Sequence, residues 1–258
     1  MPVLEARNIS IRFGGVQALD GVDFSVGEYE IVGLIGPNGA GKTTFFNCVT
    51  GFYRPDTGAV AIRDYDVTDL RPDERTRLGV GRTFQQVGLV RSFTVLENLL
   101  VAQHQKVSYH TLAGLFSMPW TYTEEKILRA RAITVLEFMG LAHLADTRLG
   151  GLSYGTLKMC EAAAVLATDP DILMLDEPLA GLGPEEAEEF GDLLLDMRRE
   201  LGLTIVIVDH HVPLVLRISD YIYVLNFGKL LAEGKPDEVR SNVAVAEAYM
   251  GEGASALG

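Results

Sequence analysis

The sequence has few cysteines, little aromatic bulk in tryptophan and a shortage of positive charge. It carries 2 cysteines, Cys48 and Cys160, 1 tryptophan, and 22 Lys and Arg against 35 Asp and Glu, a formal net charge of −13. Two cysteines make no disulfide framework. Both stand in stretches that read as helix, so a reducing compartment fits. A surface this acidic repels phosphate backbones and argues against a nucleic-acid partner. No run of about 18 consecutive apolar residues occurs, so no spanning helix is expected, and any role at a membrane must come through a partner. The start, Met1-Pro2-Val3-Leu4-Glu5-Ala6-Arg7, lacks the basic stretch followed by an apolar one that marks a secretory leader. Internal repeats and low-complexity tracts are absent too. What remains is 258 residues, 48% of them hydrophobic, enough to bury a large core without staples.

The patterning points to an α/β fold. Tyr29 to Gly36 form a short apolar strand ending in glycine, followed by a glycine-rich turn and a helix from about Lys42 to Val49. Strand, glycine loop and helix open a nucleotide-binding unit. Ile172–Asp176 and Thr204–Asp209 are nearly continuous apolar runs that end in a carboxylate, as strands buried on both faces do, which predicts a mostly parallel central sheet. Between them an amphipathic helix places Phe190, Leu193, Leu194, Met197 and Leu201 on one face. Glu185, Glu188, Glu189, Asp192 and Asp196 fall on a solvated one. Residues 3–27 and 58–64 alternate and predict an antiparallel sheet beside the main one. The stretch 95–168 differs: Leu128, Ala132, Val135, Leu136 and Met139 recur at helical spacing before Gly140. It reads as an inserted helical subdomain, with Ser117-Met118-Pro119-Trp120-Thr121 as a loop inside it. The domain is expected over 1–251, and 252–258 as a frayed tail.

Gly36-Pro37-Asn38-Gly39-Ala40-Gly41-Lys42-Thr43 fits G-x-x-x-x-G-K-[ST] at every position. The glycines let backbone N–H groups point inward at phosphate oxygens, and the following helix turns its positive end to the same anion. Lys42 is expected on the β- and γ-phosphates, Thr43 on Mg²⁺, and Thr44 at the helix start beside them. The motif implies a bound nucleoside triphosphate. Asp176-Glu177 closes the second strand. In such sites the first acid holds Mg²⁺ and the second polarises a water toward the γ-phosphate. The competing reading of this pair is a helix cap ahead of Pro178, and the upstream phosphate loop argues against it.

About twenty residues before Asp176 stands Leu152-Ser153-Tyr154-Gly155-Thr156. This resembles the LSGGQ signature of ATP-binding cassette proteins. The order of motifs carries the resemblance over residues 3 to about 251: phosphate loop, Gln85 in Arg82-Thr83-Phe84-Gln85, signature, Asp176-Glu177, then Asp209-His210. It implies a P-loop NTPase fold of the RecA-like kind, with an antiparallel β subdomain and the inserted helical one. It also implies ATP and Mg²⁺ as cofactors, hydrolysis of ATP, and a sandwich of two cassettes. In that sandwich each ATP lies between the phosphate loop of one chain and Ser153 and Gly155 of the other. By the same resemblance Phe13 stacks on adenine with Val16 beside it, Gln85 touches Mg²⁺ and the attacking water, and His210, rather than His211, contacts the γ-phosphate. Phe13 also reads as an ordinary core aromatic. Tyr154 and Thr156 replace a glycine and the Gln of the signature. Gly183 stands where the family carries an Asp, and Lys158 to Ala164 lack the usual arginines.

Within the family the chain is most similar to ATP-binding subunits of branched-chain amino-acid importers. The features are Gly81-Arg82-Thr83-Phe84-Gln85, the insertion from Val101 to Trp120, and Glu247-Ala248-Tyr249-Met250-Gly251 after Asn242. This implies a cytoplasmic subunit, peripheral on the inner face of the cell membrane. Its partners would be a like or different second cassette, integral membrane permeases and an extracytoplasmic solute-binding protein. Lipid or lipopolysaccharide exporters and soluble or regulatory cassette ATPases are the alternatives. Leu89, Val90, Phe93, Leu112, Leu115, Phe116 and Trp120 are apolar for a loop region and read either as a permease-docking surface or as core of the helical subdomain.

Overall fold

The computed structural model describes residues 2–83, 88–103 and 119–250, with only the backbone given for 119–124 and 250. The chain divides into two compact units, one of Met1–Gln85 with Asp171–Gly258 and one of Gln86–Pro170.

The first unit holds two sheets. Strands β1 (Leu4–Phe13), β2 (Val16–Val26), β4 (Thr57–Ile62) and β5 (Tyr65–Asp66) make an antiparallel sheet in the order β2-β1-β4-β5. Alternating burial along β1 gives it one core face and one wet face. The second sheet runs β10-β9-β3-β8-β7-β6, from β3 (Ile31–Ile35), β6 (Val80–Arg82), β7 (Ile172–Asp176), β8 (Thr204–Val208), β9 (Tyr221–Asn226) and β10 (Lys229–Gly234). Its pairs are parallel except β9 with β10. Every residue of β3, β7 and β8 is buried, which is why these strands run nearly continuously apolar, Thr204 and Asp176 aside, rather than alternating. Leu34, Phe45, Phe46, Val206 and Leu225 belong to one core with Leu4, Phe24 and Val60 of the antiparallel sheet. Cys48 and Cys160 are buried free thiols, each pushed up to about 12 by that burial, so neither is poised to react.

The helix Pro184–Leu201 shows how local signals fix an element. Pro184 opens it, Glu185 and Glu186 sit in its first turn, Arg198 and Arg199 in its last, and Gly202 ends it at φ 65°. Ala187, Phe190, Leu194 and Met197 are buried, and Glu185, Glu188, Glu189 and Asp192 are exposed. Leu201, expected on the apolar face, is 45% exposed because the helix stops there.

The second unit contains the helices Val95–Ala102, Pro119–Phe138 and Tyr154–Leu166. Thr94 caps the first: its hydroxyl accepts the Glu97 N–H at 3.1 Å, and the Glu97 carboxylate accepts the Thr94 N–H at 2.7 Å. Pro119 begins a helix of 20 residues rather than sitting in a loop. The fixed φ of proline suits a first turn, and Trp120 and Thr121 follow it into the helix. Ala132, Val135, Leu136 and Met139 are buried, and Gly140 turns the chain at φ 70°. Leu89 is half-buried, Val90 and Phe93 are partly exposed, and 112, 115 and 116 lie outside the described residues, as do 252–258.

The helix α1 (Lys42–Val49) ends on Arg75, which is almost wholly buried. Nη1 of Arg75 donates to the carbonyls of Cys48 (2.8 Å) and Val49 (2.6 Å), Nη2 to Thr68 (3.0 Å) and Nε to Leu70 (3.1 Å). Carbonyls at a helix C-terminus lack intrahelical donors and carry partial negative charge, so a cation there serves both needs. Burial pulls the guanidinium down to about 10. Replacing Arg75 with Met removes the guanidinium donors from all four carbonyls. It should destabilise the chain by roughly 3 kcal/mol in urea unfolding. A loss below about 0.5 kcal/mol, the range of ordinary surface changes, would show the contacts to be dispensable.

Candidate functional site

The site forms at the carboxyl ends of β3, β7 and β8, where ligands of parallel α/β sheets bind. In β8, Val208 pairs with Leu34 of β3 on one side and with Asp176 of β7 on the other. The ends of β3 and β7 are therefore level and two strand spacings, about 10 Å, apart. An open cleft of ≈ 370 Å³ lies there, lined by Val16, Gln17, Ala18, Asn38 to Thr44, Glu177, Phe227 and Gly228.

The phosphate loop supplies the floor. Gly36, at φ 152°, marks the end of β3; a side chain there would collide with the Leu225 carbonyl of β9, so only glycine fits the approach. Gly41 starts α1 at φ 102°. Lys42 is buried, and its Nζ donates to the carbonyls of Gly36 (2.6 Å) and Pro37 (3.1 Å), which folds its ammonium back along the loop. Asn38, Gly39, Ala40, Thr43 and Thr44 face the cleft with it.

The two carboxylates have different surroundings. Asp176 is fully buried, and its Oδ2 accepts Nη2 of Arg82 at 3.0 Å. Its backbone N–H reaches the Thr83 hydroxyl at 3.2 Å. Arg82 is itself pinned. Its Nη1 donates to Asn47 Oδ1 at 2.7 Å and to the Thr50 hydroxyl, and its guanidinium stacks 4.7 Å from the Phe46 ring and 4.9 Å from that of Phe52. Burial draws Arg82 below its ordinary value, and the charge of Asp176 opposes that pull. Glu177 leaves the sheet in a left-handed conformation, φ 49°, with its N–H on the Val208 carbonyl at 2.7 Å. A non-glycine residue held there is strained, and such strain gathers at functional sites. The outcome is one acid locked inside the sheet and its neighbour on the wall of the cleft.

The other candidates are spread more widely. Asp209 ties two strand-end loops: its Oδ2 accepts the Leu179 N–H at 3.1 Å and its Oδ1 the His211 N–H at 2.9 Å. His211 thereby becomes the residue that precedes the helix Val212–Ile218. His210 stands exposed, Nδ1 3.7 Å from Asp209, and is not among the residues lining the cleft. Val16 lines the cleft and is 68% exposed. Phe13 is outside the lining and 46% exposed, edge-on to Tyr53 at 5.2 Å, so it is not a core aromatic. Gln85 lies outside the described residues. Ser153 and Gly155 belong to the second unit, where Ser153 caps the helix Tyr154–Leu166 by accepting the Thr156 N–H at 3.1 Å. Tyr154 is an ordinary first-turn residue of that helix, which is why glycine is not required there. Gly183 likewise sits at φ −69° and donates its N–H to Glu186 at 2.9 Å. Sequence reasoning did not find Gln17, Ala18, Phe227 or Gly228, and it named Arg82 in a motif without giving it a role. A faint signal existed only for Phe227 and Gly228, in the turn Asn226-Phe227-Gly228 between apolar runs.

Comparison with known proteins gives a consistent picture. Residues 19–180 match the ABC transporter family, and 229–255 match the branched-chain amino acid ATP-binding cassette transporter family. The high-affinity branched-chain amino acid transport ATP-binding protein LivG of Salmonella typhimurium is 45% identical over 97% of this chain and 98% of its own length. BraF of Pseudomonas aeruginosa is 43% identical over the same shares. Among solved structures, the ADP conformation of the cassette MJ1267 superposes with a TM-score of 0.85 at 37% identity, covering 97% of this chain and 99% of that one. The cassette MJ0796, in a dimeric post-hydrolysis state bound to ADP and Pi, gives 0.75 at 28% identity, covering 90% and 98%.

The Arg82–Asp176 pair is the most exposed to mutational failure. Arg82→Leu removes the cation paired with a buried carboxylate, which should cost about 3–5 kcal/mol in thermal or urea unfolding. Arg82→Lys keeps the charge without the fork that reaches Asn47, Thr50 and Asp176, and should recover only part of it. Wild-type stability in Arg82→Leu would mean that the guanidinium does not hold Asp176.

Proposed function

This chain belongs to the ABC transporter family, and from that premise we propose that it is the ATP-binding and ATP-hydrolysing subunit energising import of branched-chain amino acids, or a related small polar solute, through separate permeases. The observation that carries the chemistry is that the phosphate loop and Glu177 line one cleft. Similarity along nearly the whole chain to transport subunits of that name, together with the match at 229–255, supports this solute class over lipid or lipopolysaccharide export.

The triphosphate lies along the loop, its oxygens on backbone N–H groups and Lys42. Glu177 orients a water and takes its proton. The water oxygen bonds to the γ-phosphorus as the bond to the departing ADP oxygen breaks. The residues present fit Mg²⁺: Thr43 offers a hydroxyl in the cleft, and Asp176 a carboxylate at the end of β7, level with the end of β3. Among the described residues there is no cluster of three or more His, Cys, Asp and Glu. Mg²⁺ needs none, since it is held by one or two protein oxygens plus phosphates and water. Bound there, it would neutralise charge on the phosphate oxygens. Gln85 and His210 are assigned to the γ-phosphate side and Phe13 to adenine by family resemblance. Ser153 and Gly155 are assigned to the γ-phosphate of a second cassette.

Two cassettes closing on ATP would bias docked permeases toward one of two states. Among the described residues no helix is long and apolar enough to cross a membrane. By its likeness to transport ATP-binding subunits the chain would work from the cytoplasmic face, with permeases and an extracytoplasmic solute-binding protein as partners. The exposed Val90, Phe93 and Val101 support a docking surface in the second unit.

Glu177→Gln should slow ATP hydrolysis by about 10²-fold or more while leaving ATP affinity intact. In size-exclusion chromatography with ATP and Mg²⁺ it should run as a dimer. Lys42→Ala should instead lose affinity in nucleotide titration. Hydrolysis at the wild-type rate in Glu177→Gln would remove Glu177 from the reaction.

A further inference from the structure

Phe227 has no part in phosphate or metal chemistry. It is 85% exposed and lines the same cleft as the phosphate loop. It occupies the tip of the β9–β10 hairpin, where Asn226 pairs with Lys229, so the turn consists of Phe227 and Gly228. Both have positive φ, 46° and 76°. Asn-Gly is the favoured pair for such a turn, and a bulky aromatic at the first position is strained.

The tip is anchored to the nucleotide floor rather than free in solvent. The Gly228 N–H donates to the Ala40 carbonyl of the phosphate loop at 2.9 Å, and the Gly228 carbonyl accepts the Asp20 N–H at 2.8 Å. A Cβ on Gly228 would sit 2.6 Å from the Ala18 carbonyl oxygen, so three backbones meet here with no room to slide. Phe227 is thereby held at a fixed place beside the loop. Among the lining residues, Val16 is the other strongly exposed apolar side chain. The floor offers N–H groups, hydroxyls and a cation, which suit phosphates; the wall offers a ring and a branched aliphatic group, which suit the uncharged face of a sugar and base.

We propose that Phe227 is a nucleotide-contacting residue that packs on the nucleoside portion of the bound triphosphate. This rests on the cleft being the ATP site. The experiment is calorimetric titration of the full chain and two variants with ATP and with inorganic tripolyphosphate, which has the phosphates and no nucleoside. Phe227→Asn installs the favoured turn pair and removes the ring; Phe227→Tyr keeps the ring. The expected result is an ATP affinity about tenfold weaker in Phe227→Asn, near wild type in Phe227→Tyr, and unchanged tripolyphosphate affinity in all three. Thermal unfolding of Phe227→Asn should match or exceed wild type, so that the loss is not one of folding. Unchanged ATP affinity in Phe227→Asn overturns the contact while leaving the ATP site in place. Equal losses for ATP and tripolyphosphate also overturn it, since the phosphate loop and not the nucleoside would then be affected. If wild type binds neither ligand, the cleft is not the ATP site and both readings fall.

Discussion

Val208 holds the geometry of the site through its two neighbours. Its pairing with Leu34 on one side and Asp176 on the other puts the phosphate loop and the Asp176-Glu177 step at one level of the sheet. The Glu177 N–H on the Val208 carbonyl extends that registration one residue past the strand. Slipping either pair by one residue would turn Asp176 to the other face and carry Glu177 away from the loop. The continuous burial of β3, β7 and β8 makes such a slip costly, since apolar packing on both faces must be broken together.

Close backbone approach does the rest. The loop is hemmed by β9 at Gly36 and by the β9–β10 turn at Ala40, and the same turn is tied to β2 at Asp20. Beneath it, α1 is fixed at its end by Arg75 and through Asn47 and Thr50 by Arg82, which also holds Asp176. The Arg82 guanidinium thus links the helix after the loop to the strand after which Glu177 turns. Buried ion pairs contribute little net stability, but they are unforgiving about geometry. That trade suits a site whose groups must be placed to fractions of an ångström.

The parts of this arrangement that are contiguous in sequence were readable there. The phosphate loop, α1 and the strands ending at Asp176 and Val208 follow from local pattern, and the antiparallel sheet from alternation. The stretch around Pro119 was misread because proline suggests a loop, whereas it also suits a first helical turn. Leu201 followed the periodicity of its helix, but periodicity does not say where a helix stops. Arg82 was legible only as part of the motif around Gln85, and its bracing role was not, because its partners Asn47, Thr50 and Asp176 lie 35, 32 and 94 residues away. Phe227 carries no sequence signal beyond its place in a turn between apolar runs, and only pairing of the turn with Ala40 and Asp20 brings it to the cleft. The signature Ser153-Tyr154-Gly155-Thr156 was legible as a motif. Its tolerance of Tyr154 became intelligible only from the helical backbone there.

The account depends on the loop and the Asp176-Glu177 step acting on one triphosphate. A crystal structure of the chain with Mg²⁺ and a non-hydrolysable ATP analogue tests this directly. It should show β- and γ-phosphate oxygens at hydrogen-bond distance, about 3 Å, from the loop N–H groups and Lys42, with Thr43 and Asp176 on the metal side and Glu177 beside the γ-phosphate. Phosphates bound away from the loop, or a γ-phosphate out of reach of Glu177, would contradict it.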